Sequence, residues 1–100
     1  MVELIWTEPA IQDLEVIADY IALDKPEAAK KLVSRIFEKV ENLKRFPKLG
    51  SSPRELHGMS YRQLVISPCR VFYRVEEKKI FILHVMRGEQ LLHAGLFEMN

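Results

Sequence analysis

From Val2 to Trp6 the chain is β-branched, aliphatic and aromatic, broken only by Glu3, and it reads as a short strand. The period then lengthens. Ile11, Leu14, Ala18 and Ile21 recur at helical spacing with Ile17 beside them, while Asp13, Glu15 and Asp19 take other sides. Thr7 before Glu8-Pro9 supplies a hydroxyl cap, an acid in the first turn, and a proline where its missing N–H costs nothing. The pattern predicts an amphipathic helix of roughly four turns.

Asp24-Lys25-Pro26 interrupts this helix and opens a second. Its apolar stripe is Ala29, Leu32, Val33, Ile36, Val40 and Leu43, with Lys30, Lys31, Glu38, Lys39, Glu41 and Lys44 off it. So short a break predicts an antiparallel hairpin. Phe46-Pro47 ends the second helix, and Lys48 to Gly58, rich in Gly, Ser and Pro, reads as a loop. The period now changes to 2. Tyr61 to Ile66 is one strand, Ser67-Pro68 a turn, and Arg70 to Val75 a second strand. That second strand puts Val71, Tyr73 and Val75 on one face and Arg70, Phe72 and Arg74 on the other. Glu76 to Lys79 is a charged turn. Ile80 to Met86 is apolar on both faces, which suits a central strand. After Gly88, Glu89 to Met99 predicts a short, weak helix or tail carrying Leu91, Leu92, Leu96 and Phe97. The expected fold is α+β: an N-terminal strand, an antiparallel helical hairpin, a three-stranded antiparallel meander forming one sheet, and a short C-terminal helix or tail.

One hundred residues suit a single domain spanning 1–100. Hydrophobic residues at 48% and charged residues at 29% exclude a disordered or low-complexity chain. The longest apolar run, Ile80 to Met86, is far below the ~18 residues of a membrane span. Met-Val-Glu-Leu-Ile-Trp has neither the basic start nor the cleavage site of a signal peptide, so a soluble cytoplasmic protein is expected. A single cysteine, Cys69, excludes an internal disulfide. The net charge of +1 conceals an asymmetry. Residues 1–24 carry six acids and no Lys or Arg, whereas residues 25–54 carry nine bases and three acids. The basic block is either a face for an acidic partner, with Lys30, Lys31 and Arg35 at its centre, or a solvated helix face paired with the acidic helix before it.

Candidate chemistry is sparse. His57, His84 and His93 have no metal-ligand spacing, so neither a metal nor a cofactor is implied. His84, in the most apolar strand, reads as structural, and His57 and His93 as exposed. Cys69 lies beside Arg70 but has no orienting base nearby. The acids of the first helix mostly face water, and none forms an acid–base pair. One grouping remains: Arg62, Arg70, Arg74 and Arg87, with Tyr61 and Tyr73 among them. Arginines interleaved with aromatics can hold RNA. The alternative is edge protection, or pairing with Glu76, Glu77 or Glu89.

These residues carry a resemblance. Residues 2–14, Asp19-Tyr20-Ile21, Phe46-Pro47-Lys48-Leu49-Gly50, Pro53-Arg54-Glu55-Leu56, residues 70–75 and residues 82–88 resemble, in order and spacing, the RelE/ParE superfamily of toxins from type II toxin–antitoxin systems. The resemblance implies the β-α-α-β-β-β fold already read from the periodicity. It also implies a toxin neutralised by a cognate antitoxin encoded nearby, in a hetero-oligomer. The RelE branch cuts mRNA on the ribosome and needs cations on the scissile phosphate. The ParE branch inhibits DNA gyrase. In a nuclease, the matching residues here would be Arg62, Arg70 and Arg87. Leu64 replaces a second basic residue of the RelE pattern, Glu89-Gln90 stand where cations are expected, and Leu96-Phe97 stand where a tyrosine is expected. The expectation is therefore a ParE-like toxin that blocks replication through gyrase. A RelE-like mRNA endoribonuclease and a DNA-nicking enzyme are the alternatives. Leu91, Leu92, Leu96, Phe97, Lys30, Lys31 and Arg35 are the expected partner-binding residues.

Overall fold

The computed structural model describes residues 2–56, 58 and 60–88. The helix expected over 89–99 lies outside the described residues, as do His57 and His93. The elements are β1 (Glu3–Trp6), α1 (Glu8–Ala22), α2 (Pro26–Glu41), a 3₁₀ turn (Asn42–Lys44), a second 3₁₀ turn (Arg54–Leu56), β2 (Tyr61–Ile66), β3 (Cys69–Glu76) and β4 (Lys79–Arg87). This is the expected α+β order.

The Thr7 hydroxyl accepts from the Ala10 N–H at 3.4 Å, capping α1, and donates to the Ile82 carbonyl at 2.7 Å. One side chain thus starts the helix and fastens its start to β4. The buried face of α1 is Ala10, Leu14 and Ile17, not a stripe beginning at Ile11, which is 43% exposed. A helix turns by ~100° per residue, so period alone cannot tell a stripe from its neighbour. The Thr7 bond and a bond from Asp13 to β4 set the rotation of α1. In α2, Ala29, Leu32, Ile36 and Val40 are buried as expected, Leu43 continues the stripe, and Val33 is partly buried.

The sheet order is β1-β4-β3-β2. Strands β2, β3 and β4 form the antiparallel meander, and β1 pairs parallel to β4 from Glu3↔Lys79 to Trp6↔Ile82. The central position of β4 accounts for its apolar character on both faces. Register between β3 and β4 shifts at Phe72/Tyr73, which face His84 and Ile82 and leave Leu83 as the extra residue of a bulge. Consequently Ile82 and Val85 both join the main core with α1, α2, Val71 and Tyr73. Leu83 and Met86 instead join Phe72 and Leu56 in a second cluster. No helix among the described residues is long and apolar enough to cross a membrane.

Candidate functional site

The strand register decides which arginines can act together. Arg62 pairs with Tyr73, and Arg70 with Val65. Residues 70 and 73 are an odd number apart on one strand, so Arg62 and Arg70 project from opposite faces of the sheet. Arg62 donates from Nη1 to the Gly50 carbonyl at 2.7 Å. Arg70 lies 5.1 Å over the Phe72 ring and donates to Gln63 Oε1 at 3.4 Å. Arg74 shares its face, lies 5.0 Å over the Phe81 ring and pairs with Glu76 at 2.8 Å. Arg87, at the end of β4, stacks 4.6 Å over Tyr20 of α1. Arg70, Arg74 and Arg87 are thus set on aromatic rings, and Arg62 on the Gly50 carbonyl.

Arg62 belongs to a latch that sequence reasoning missed. The buried Tyr73 hydroxyl accepts from the Gly50 N–H at 2.8 Å and donates to the Pro47 carbonyl at 2.9 Å. Burial pushes the Tyr73 phenol above its usual value of 10.0, against opposing pulls from the Gly50 N–H and the Arg62 guanidinium. Gly50 has no space for a side chain: a Cβ there would lie 2.7 Å from the Tyr73 hydroxyl. Ser51 and Gln63 exchange both backbone hydrogen bonds, at 3.0 and 2.7 Å. The chain from Pro47 to Ser51 is therefore tied to β2 and β3. The clue in sequence was a tyrosine on the apolar face of β3, whose hydroxyl needs a partner when buried.

Asp13 is a correction among the acids read as facing water. Its Oδ2 accepts from the Val85 N–H and from His84 Nδ1, each at 3.0 Å. Since a carboxylate only accepts, Nδ1 carries the proton. Strand β1 stops opposite Ile82, so the Val85 N–H lies beyond its last residue, and Asp13 of α1 takes the place of a strand partner there. His84, read as structural, is held by this contact and largely covered. Asp13 stands one turn before Ile17, at the margin of the buried stripe, which is the signal that could have found it. Cys69 is buried at the start of β3.

Among the described residues, the ion pairs of the basic block run within the second helix and the turn after it. Lys30 meets Glu27 at 3.6 Å and Lys44 meets Glu41 at 2.7 Å, both (i, i+3) pairs at the surface and worth little. Arg35 donates to the Ser67 carbonyl in the β2–β3 turn. Lys30 and Ser34 border a cleft between the two helices, whose apolar walls are Ala18, Ala22, Ala29 and Val33. Val16 and Tyr20 of α1 and its C-cap Leu23 recur at (i, i+4, i+7) and are 69%, 60% and 86% exposed. Leu91, Leu92, Leu96 and Phe97 lie outside the described residues.

The fold is that of a small α+β protein whose interhelical cleft is apolar, with Lys30 and Asp19 at its border. The family model of the ParE toxin of the type II toxin–antitoxin system, parDE, matches residues 4–92. Protein Y4kP of Sinorhizobium fredii is 36% identical over 87 residues, covering 85% of this chain and 86% of that protein. Toxin RelE2 of Caulobacter vibrioides is 29% identical over 92 residues, covering 91% of this chain and all of that toxin. A solved chromosomal ParDE system from P. aeruginosa superposes with a TM-score of 0.74 at 33% identity, over 87% of this chain and 96% of that one. The chain belongs to the ParE toxin family of type II toxin–antitoxin systems.

Proposed function

We propose that this toxin arrests growth by binding DNA gyrase and that a cognate antitoxin neutralises it. The observation that carries the reading is the placement of Arg62 and Arg70 on opposite faces of the sheet. A ribonuclease must bring cations together on one phosphate to stabilise the charge of the transition state. Here Arg62 and Arg70 project from opposite faces, and Arg62 is bonded to the Gly50 carbonyl. The ParE family match and the likeness to the ParDE structure support the same branch.

The antitoxin is assigned to the helical hairpin. The cleft of Ala18, Ala22, Ala29 and Val33 admits an apolar face. The exposed Val16, Tyr20 and Leu23 lie on another side of the first helix. Lys30, Lys31 and Arg35 on α2 favour an acidic segment that folds as it binds. Leu91, Leu92, Leu96 and Phe97 are assigned to the target.

Supercoiling by purified gyrase, run beside ribosome-dependent mRNA cleavage, tests the reading. Inhibition of supercoiling without mRNA cleavage is the expected result. Cleaved mRNA with gyrase unaffected would establish the ribonuclease alternative. Co-expression with the neighbouring gene product should yield a stable complex.

A further inference from the structure

The segment following α2 is held more firmly than a connecting loop requires. The Phe46 N–H donates to the Asn42 carbonyl at 3.0 Å and the Leu49 N–H to the Phe46 carbonyl at 3.0 Å. The Tyr73 latch and the Arg62 bond then fix Pro47 and Gly50. Within this frame Phe46 and Leu49 are 58% and 54% exposed. Two large apolar side chains thus stand half-exposed on a segment tied at several points, with Arg45 lying 5.9 Å over the Phe46 ring. Apolar surface presented in that way marks an interaction site more strongly than scattered exposed leucines do, and a pre-ordered loop lowers the entropic cost of binding.

Phe46, Pro47, Leu49 and Val75 form an apolar slot with Arg45 and Lys48 at its rim and Glu77 as its one acid. Lys48 and Val75 also line a neighbouring hollow, whose other walls include Ser52, Ser60 and Arg62. The two depressions share a wall: one is greasy, and the other offers hydroxyls and cations. Neither shares a lining residue with the hairpin cleft.

Building on the reading of the chain as a protein-binding toxin, we propose that this composite surface docks an acidic segment of the protein target. A large apolar side chain of that segment enters the slot, and a nearby carboxylate rests against Lys48 and the hydroxyls of Ser52 and Ser60. The charge of the walls selects the acid: among the described lining residues, Arg45, Lys48 and Arg62 stand against the single acid Glu77. Pro47, Leu49 and Val75, three of the four apolar walls of the slot, offer no ring on which a base could stack, which suits a protein side chain better than a nucleic acid.

Two variants test this: Lys48→Glu, a charge reversal at an exposed position, and the double change Phe46→Ser with Leu49→Ser. Each is assayed by thermal melting, affinity for the co-expressed antitoxin, gyrase supercoiling and growth arrest on induction. Melting is expected to be preserved, and antitoxin affinity to change by less than about threefold. The dose needed for growth arrest and for gyrase inhibition is expected to rise by at least about tenfold, as for loss of a hot-spot contact. Folded variants with undiminished growth arrest overturn the proposal, as does a matching loss of antitoxin affinity. Lys48-dependent binding of a labelled single-stranded RNA oligonucleotide that tracks growth arrest would assign the surface to nucleic acid and overturn it too. Should the wild type arrest growth while leaving gyrase untouched, the gyrase reading falls, and growth arrest alone still judges the slot. If the double variant fails to fold, Lys48→Glu decides.

Discussion

Replacing Tyr73 by Phe removes one oxygen from the latch and leaves the ring packing intact. That oxygen accepts from the buried Gly50 N–H and donates to the Pro47 carbonyl. Phenylalanine leaves the Gly50 N–H without a partner, at a cost of about 1–3 kcal/mol for an unsatisfied buried group. The Pro47 carbonyl is half-buried and regains water, so its loss adds only ~0.5 kcal/mol. The sum is roughly 1.5–3.5 kcal/mol, and for a chain of this length that lowers Tm by roughly 6–28 °C. The variant also carries a pH signature. Burial raises the Tyr73 phenol above its usual 10.0, so the folded protein keeps this proton longer than the unfolded chain does. Stability from this group is fully present below pH 10.0 and is lost as pH rises towards the folded value. Chemical denaturation at neutral pH and at a series of alkaline pH values measures both effects. Wild type should lose stability more steeply than Tyr73→Phe in the alkaline range, and the gap between them should narrow. A neutral-pH loss below ~0.5 kcal/mol, or parallel alkaline limbs, would refute the latch as a source of stability.

Asp13→Asn keeps one acceptor oxygen but gives up the charge that serves both the Val85 N–H and His84 Nδ1, while Asp13→Ala removes the acceptor altogether. Denaturant melts should show the alanine variant about 1–3 kcal/mol less stable and the asparagine variant between it and wild type. A folded Arg70→Ala protein should keep its toxicity in a growth assay, whereas abolished toxicity with an intact fold would favour the nuclease alternative. Removing residues 91–100 should weaken gyrase inhibition more than antitoxin binding, with thermal melts run alongside to confirm that the shortened chain folds.

Much of this molecule was legible in one dimension, because strand and helix periods differ and capping chemistry is local. Thr7 with Glu8-Pro9 marked the start of α1, and the two-sided apolarity of Ile80 to Met86 marked a central strand. The alternation in β3 also placed Arg70 and Arg74 on one face. The antiparallel meander was legible too, but the place of β1 and the register between strands were not, since hydrogen bonds across the sheet leave no local trace. That β1 lies parallel to β4, and that Arg62 opposes Tyr73 rather than joining Arg70, depends on register. The same holds for single polar atoms. Asp13 meets His84 and Val85 across more than seventy positions, and the Tyr73 hydroxyl finds Gly50 and Pro47 only because β3 passes beneath the loop. Periodicity says which side of an element is buried. Only the packed tertiary structure says which group waits on the other side.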